Sequence, residues 1–221
     1  MLPLRDNIPS ATRPTVTWLL IAANLLAFFW ELSGADVLPW TLVPVRFTAD
    51  PAGNAVTVIT AMFLHGGWLH VLGNMLYLWI FGDNVEDRLG HFRYVLLYFA
   101  GGIAAALAQV AIAPDSRIPM LGASGAIAAV LGAYIVLYPR ASVYTWIPLF
   151  LGIVPIPAVV WLGLWFVLQL FSGVASLSMQ ASGGVAFFAH VGGFVAGVVL
   201  VKLLDPGPRW RRGTGPLTTI P

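Results

Sequence analysis

Six stretches of this chain stay apolar for about as long as a helix needs to cross a bilayer, roughly 17–25 residues. They are Thr15–Leu32, Trp68–Gly82, Phe92–Ala113, Leu121–Tyr138, Ala158–Gly173 and Gly184–Leu204, the second and fifth being short. Only 9% of the 221 residues are charged and 59% are hydrophobic, against about 25% charged in a soluble domain. Such a sequence has too little polar surface to cover a globule in water. The expectation is an all-α, polytopic membrane helix bundle with six transmembrane helices. Two further apolar segments are left out of that count. Trp146–Pro157 carries Pro148, Pro155 and Pro157, which break a regular helix, and is read as an interfacial or protein-packed loop. Ser33–Gly67, with Pro39, Pro44 and Pro51, is expected to lie partly in the headgroup zone as short helices.

Basic residues set the orientation. With the N-terminus inside, all but Arg46 and Arg117 of the 11 Lys and Arg residues fall on the inner side, and the positive-inside rule then puts both termini in the cytoplasm. The expected division is a cytoplasmic segment 1–14, a membrane domain 15–204 and a cytoplasmic tail 205–221. The first stretch exceeds the about 7–15-residue apolar core of a signal peptide and is read as a retained span. A net charge of +2, spread through the loops, suggests no nucleic-acid partner, and the absence of cysteine excludes disulfides and thiolate chemistry.

Against this background a few polar residues stand out, because polar groups at membrane depth are rare and face a protein interior or a water-filled cavity. They are His70 and Asn74, Ser124 in Gly122-Ala123-Ser124-Gly125, and His190 in Ala189-His190-Val191-Gly192-Gly193. The second, fourth and sixth stretches all run from outside to inside, and these residues sit near their starts, on the order of 5–10 Å below the outer helix ends. Backbone N–H groups in a first helical turn lack intrahelical partners, so the start of the fourth stretch can offer donors to an anion forming beside Ser124. His70 and Asn74, at i and i+4, share one helix face and can add side-chain donors. Close approach is provided by the stripe Ala189, Gly193, Gly197 and by Gly125, Ala128, Ala129 and Gly132. A serine and a histidine that meet there suggest hydrolysis within a membrane.

Other readings compete. Ser124 can be a packing serine, and His190, His70 and Asn74 can be interhelical hydrogen-bond residues. His65, His70 and His190 could ligate zinc, but no His-Glu-x-x-His motif occurs and no carboxylate is expected in the spans at that depth, so neither metal nor other cofactor is anticipated. A transporter would place its site at the midplane, between repeats. No Asp or Glu is placed to orient the His190 ring, which leaves backbone, aromatic packing or water to do so.

In combination the residues resemble the rhomboid family of intramembrane serine proteases, most like its compact six-span bacterial members. The carriers are His65-x4-His70-x3-Asn74, Glu86-Asp87-Arg88-Leu89-Gly90, Gly122-Ala123-Ser124-Gly125 and Ala189-His190-x-Gly192-Gly193-x3-Gly197, and the resemblance covers residues 15 to 204. It implies Ser124 as nucleophile and His190 as general base. His70, Asn74 and the Ser124 backbone N–H would form the oxyanion site, with His65 and the glycines Gly122, Gly125, Gly193 and Gly197 supporting. It further implies single-span transmembrane substrates in a lipid bilayer, cut near the outer leaflet, and a bacterial inner-membrane location. An inactive relative that binds transmembrane clients is the alternative. Two departures are visible. Ala128 stands where family members often have an aromatic against the histidine, so Phe187 or Phe188 is expected to orient His190, and no Trp-Arg pair occurs before Thr57. Hydrolysis also requires water, so a hydrophilic cavity open outward is expected, capped by the Gly173–Gly183 loop.

Overall fold

A helix satisfies its own backbone hydrogen bonds, which is what an apolar segment in lipid requires, and the apolar stretches are helical. The computed structural model describes residues 1–148, 152–178 and 186–207. A short strand, β1 (Leu2–Arg5), precedes α1 (Thr15–Leu32). Two small helices, α2 (Pro44–Ala49) and α3 (Thr57–Thr60), lead to α4 (Trp68–Leu89) and α5 (His91–Ile112). Then come α6 (Ser124–Leu137), strands β2 (Ser142–Ile147) and β3 (Gly152–Pro157), α7 (Ala158–Ser178) and α8 (Phe187–Leu204). Among the described residues, α1, α5, α7 and α8 are long and apolar enough to cross a membrane, and α6 is a shorter apolar helix. The protein is an integral membrane helix bundle.

The centre is α6. Every residue from Ala126 to Tyr134 is buried, as expected for a helix that is apolar on all faces. It packs against α8 through backbone. A Cβ at Gly193 would fall on the Gly125 carbonyl, one at Gly197 on the Ala129 carbonyl, and one at Gly132 on the Phe194 carbonyl. Any side chain at these positions would part the two helices.

Four boundaries differ from expectation. First, α4 continues to Leu89, about two turns past Gly82, because its polar end has partners. Buried Glu86 accepts the Val16 and Thr17 N–H groups at 2.9 and 2.8 Å and the Thr17 hydroxyl at 2.7 Å. Asp87 accepts the Ala11 and Thr12 N–H groups, and Ser10 donates to Asp83. Gly90, at φ 79°, is the single residue between α4 and α5, a conformation that glycine adopts without steric cost. Second, Trp146–Pro157 is not a loop: its ends belong to β2 and β3, in an antiparallel sheet of order β1-β2-β3. Val143 faces Ile156 and Thr145 faces Val154. In β2, Val143 and Thr145 are buried while Ser142, Tyr144 and Trp146 are not, the period of a half-buried strand. The prolines that exclude a helix are tolerated because Pro3, Pro155 and Pro157 lie on the two edge strands.

Third, α6 begins at Ser124 rather than Leu121. Fourth, α7 runs to Ser178, so the expected cap is helical up to that residue, and 179–183 lie outside the described residues. The expected start of the last helix at Gly184 and the tail beyond 207 also lie outside them. The Ser33–Gly67 segment does form short helices, seated on α5 by Leu42, Val58, Ala61 and Met62.

Candidate active site

Ser124 is the first residue of α6, and the approach to it is built around Gly122. At φ 124°, Gly122 has a backbone conformation rarely open to L side chains, and its N–H donates to the Ala61 carbonyl at 2.8 Å. A Cβ there would lie 2.7 Å from His70 Nε2 and 2.8 Å from His70 Cε1. The glycine therefore lets the His70 ring close onto the backbone two residues before the serine. The first bond of the α6 ladder runs from the Ile127 N–H to the Ala123 carbonyl. The N–H groups of Ser124, Gly125 and Ala126 thus precede the ladder, at the positive end of the helix dipole.

His190, in the first turn of α8, meets Ser124 directly: Nε2 lies 2.7 Å from the serine Oγ. The other ring nitrogen, Nδ1, lies 2.9 Å from Oε1 of Gln169 on α7. A carbonyl oxygen only accepts, so Nδ1 carries the proton and Nε2 is left to accept from the serine hydroxyl. The Trp165 ring, one turn earlier on α7, lies 6.0 Å from the imidazole at 32°. Two neighbours of the ring thus come from α7; among the described residues no ring contact joins His190 to Phe187 or Phe188, and the Phe188 ring lies against Gly173. Ala128 is fully buried within α6. Gln109 on α5 accepts the Ala189 N–H at 3.2 Å, which holds the first turn of α8.

The second pair of histidines is arranged around Asn74. Asn74 Nδ2 donates to His65 Nε2 at 2.9 Å, so the His65 proton sits on Nδ1, 3.2 Å from the Phe63 carbonyl. Burial, with His70 beside it, holds His65 neutral, down to about 4. The Gly66 N–H donates to His70 Nδ1 at 3.4 Å, which leaves the His70 proton on Nε2, beside Gly122. Asn74 Nδ2 would lie 3.7 Å from the same added Cβ. His70 and Asn74 therefore bracket Gly122, while His65 sits behind Asn74.

Four residues of this site were not anticipated. Gln169, Trp165 and Gln109 are the three already described. The fourth is Glu31, near the end of α1, whose Oε1 accepts the His65 N–H at 2.9 Å; a carboxylate does lie at this end of a span. The signal for Gln169 and Glu31 was in the sequence, as polar groups within apolar helices. Among the described residues no group of three or more His, Asp or Glu side chains is placed to hold a metal ion.

A small cavity of about 50 Å³ adjoins the serine, lined by Met62, Gly102, Ala105, Met120 and Gly122 among others. It is mostly apolar, because the segments beside Ser124 contribute alanine, glycine and methionine. Its size suits one water or one small side chain.

A family model described as a Rhomboid domain matches residues 52–206. The chain is 37% identical over 125 residues to Rhomboid protease GluP of Bacillus subtilis, which covers 55% of this chain and 24% of that protein. It is 30% identical over 191 residues to Rhomboid protein 1, mitochondrial, of Saccharomyces cerevisiae, covering 83% of this chain and 51% of the relative. Rhomboid-like protein 11, chloroplastic, of Arabidopsis thaliana is 32% identical over 159 residues, 68% of this chain and 52% of the relative. The chain thus spans between a quarter and half of the length of these curated relatives.

Proposed function

This chain belongs to the rhomboid family, and from that premise we propose that it is a serine endopeptidase that cleaves transmembrane segments of membrane proteins, with Ser124 as nucleophile and His190 as general base. The observation that carries the reading is the 2.7 Å contact between Ser124 Oγ and His190 Nε2, with the opposite ring nitrogen held by a carbonyl acceptor. That is the tautomer a general base requires.

In the proposed reaction His190 Nε2 takes the serine proton as Oγ attacks the scissile carbonyl, and the imidazolium then protonates the leaving amine. The acyl-enzyme is released by water, activated by the same nitrogen. Negative charge on the carbonyl oxygen is met by the Ser124 N–H, the His70 Nε2–H and the Asn74 amide, and one such donor can contribute about 3–4 kcal/mol. A helical substrate must unwind before its amide can reach Ser124, so helix-breaking or small residues near the cut are expected. We read α1 and α4 to α8 as six crossings of a bacterial inner membrane, with both termini cytoplasmic and the Ser124 end toward the outer leaflet.

Ser124→Ala and His190→Ala, assayed on a single-span substrate in liposomes, test this. The wild type is expected to cleave and to be labelled at Ser124 by a serine-directed phosphonate, and neither variant is expected to turn over. Cleavage persisting in both variants removes the dyad. Client binding with no turnover or labelling in the wild type marks an inactive relative.

A further inference from the structure

Gln169 is the lone amide of α7, whose other polar residues are serines toward its end, and a polar side chain without a partner is costly in such a helix. It occupies one stripe of α7 with Trp161, Trp165 and Gly173, each one turn apart. That stripe faces α8: Trp165 lies 6.1 Å from the Phe194 ring, and a Cβ at Gly173 would lie 3.3 Å from both Phe187 Cβ and Phe188 Cζ. The amide is therefore delivered to His190 by packing on either side of it. Its Oε1 lies 2.9 Å from Nδ1, on the opposite side of the ring from Ser124.

A neutral imidazole has two tautomers, and only the one protonated at Nδ1 has a bare Nε2 for the serine proton. Within the described residues no carboxylate reaches His190, so the amide carbonyl is what selects between them. We propose that Gln169 is a positioning residue for the dyad: it holds His190 as the Nδ1–H tautomer and fixes the ring plane, and so makes the competence of Ser124 depend on how α7 is seated against α8. A neutral acceptor does this in place of the carboxylate of a three-residue relay, without bringing a charge into the apolar bundle. The proposal rests on the dyad reading above.

The test compares Gln169→Leu, which keeps the bulk and loses the acceptor, with Gln169→Glu, which keeps an acceptor oxygen. Loss of the tautomer-setting partner lowers kcat by up to about 10⁴-fold where that partner is a carboxylate; for a neutral amide we expect about 10- to 100-fold. KM for the substrate should change little, phosphonate labelling of Ser124 should slow in proportion to kcat, and Gln169→Glu should retain most of the turnover. Protein labelled with ¹⁵N-histidine, with His190→Ala identifying the resonance, should report His190 protonated at Nδ1 in the wild type and a tautomer mixture in Gln169→Leu. Turnover of Gln169→Leu at the wild-type rate with an unchanged tautomer overturns the proposal. So does equal impairment of the two variants, which would make Gln169 a packing residue. If Ser124→Ala cleaves like the wild type, the dyad reading fails instead, and the tautomer measurement still decides whether Gln169 sets the ring.

Discussion

Both ends of the bundle expose a helix N-terminus to a polar neighbour, and they resolve it in opposite ways. At one end the first turn of α1 is met by Glu86, which is 1% exposed and accepts two backbone N–H groups and a hydroxyl. A carboxylate on a helix N-terminus is stabilised by the dipole and by the orphan donors together. At the other end the first turn of α6 has Ala123 at its cap, with no acceptor side chain, and its neighbours are Ser124, His190, His70 and Asn74. All of these can be neutral. Glu31, a carboxylate at that end, accepts from the His65 backbone. Where an acceptor already sits on the donors the helix end is a joint; where it is left open, the same donors can receive charge that develops during a reaction. On the proposed reading, the Glu86 end serves stability and the Ser124 end serves chemistry.

The largest expected effect breaks the second half of that statement or sustains it. Ser124→Ala should lower turnover at least about 10³-fold, with the thermal midpoint in detergent unchanged, because only a hydroxyl is lost. A large fall in stability would mean that Ser124 is a joint after all. The next tests the first half. Glu86→Ala leaves the Val16 and Thr17 donors unpaired in a buried site and should cost about 2–4 kcal/mol in denaturation from mixed micelles. Turnover per folded molecule should stay near that of the wild type; its loss in protein that remains folded would erase the division between the ends. Gly197→Ala is intermediate: its Cβ would fall on the Ala129 carbonyl, and overpacking should cost about 1–3 kcal/mol. It should also reduce kcat, because the displacement of α8 from α6 carries His190 away from Ser124.

What was legible in the sequence divides along the same line. Ser124, His190, His70 and Asn74 stood out because a polar side chain in an apolar span is conspicuous, and the small-residue stripes said which helices touch. The glycines mattered through backbone contacts, which spacing alone announces. Gln169 was less legible for a different reason: carboxylates, aromatics, backbone and water are the familiar partners of an imidazole, whereas the proposed partner is a neutral amide, suited to a medium that penalises charge. The strands went unread because the prolines of Trp146–Pro157 exclude a helix without excluding an edge strand. The extension of α4 through Asp83, Asn84, Glu86 and Asp87 could not be read from local hydropathy, since its partners are more than 65 residues away, in the segment before and at the start of α1.

The smallest effect concerns Asp6, a carboxylate at the Glu86 end that accepts no N–H from a helix terminus. Asp6 accepts the Tyr134 hydroxyl at 2.5 Å and the Ile8 N–H at 3.1 Å, but burial, with Asp83 nearby, outweighs both and pushes its carboxyl up from 3.8 to about 6. Below the unfolded value the folded and unfolded chains both hold the proton. Between the two values the folded protein holds it more tightly. Stability contributed by this group is therefore full at low pH and is lost as pH rises through about 6, the reverse of a carboxylate held by a cap. Asp6→Asn keeps an acceptor for Tyr134 and removes the titration. The difference in thermal midpoint between variant and wild type should grow in favour of the variant as pH climbs from about 4 to about 7. A difference that stays constant with pH would mean that Asp6 is ionised throughout, and that this end of the bundle solvates its carboxylates equally well with or without a helix dipole.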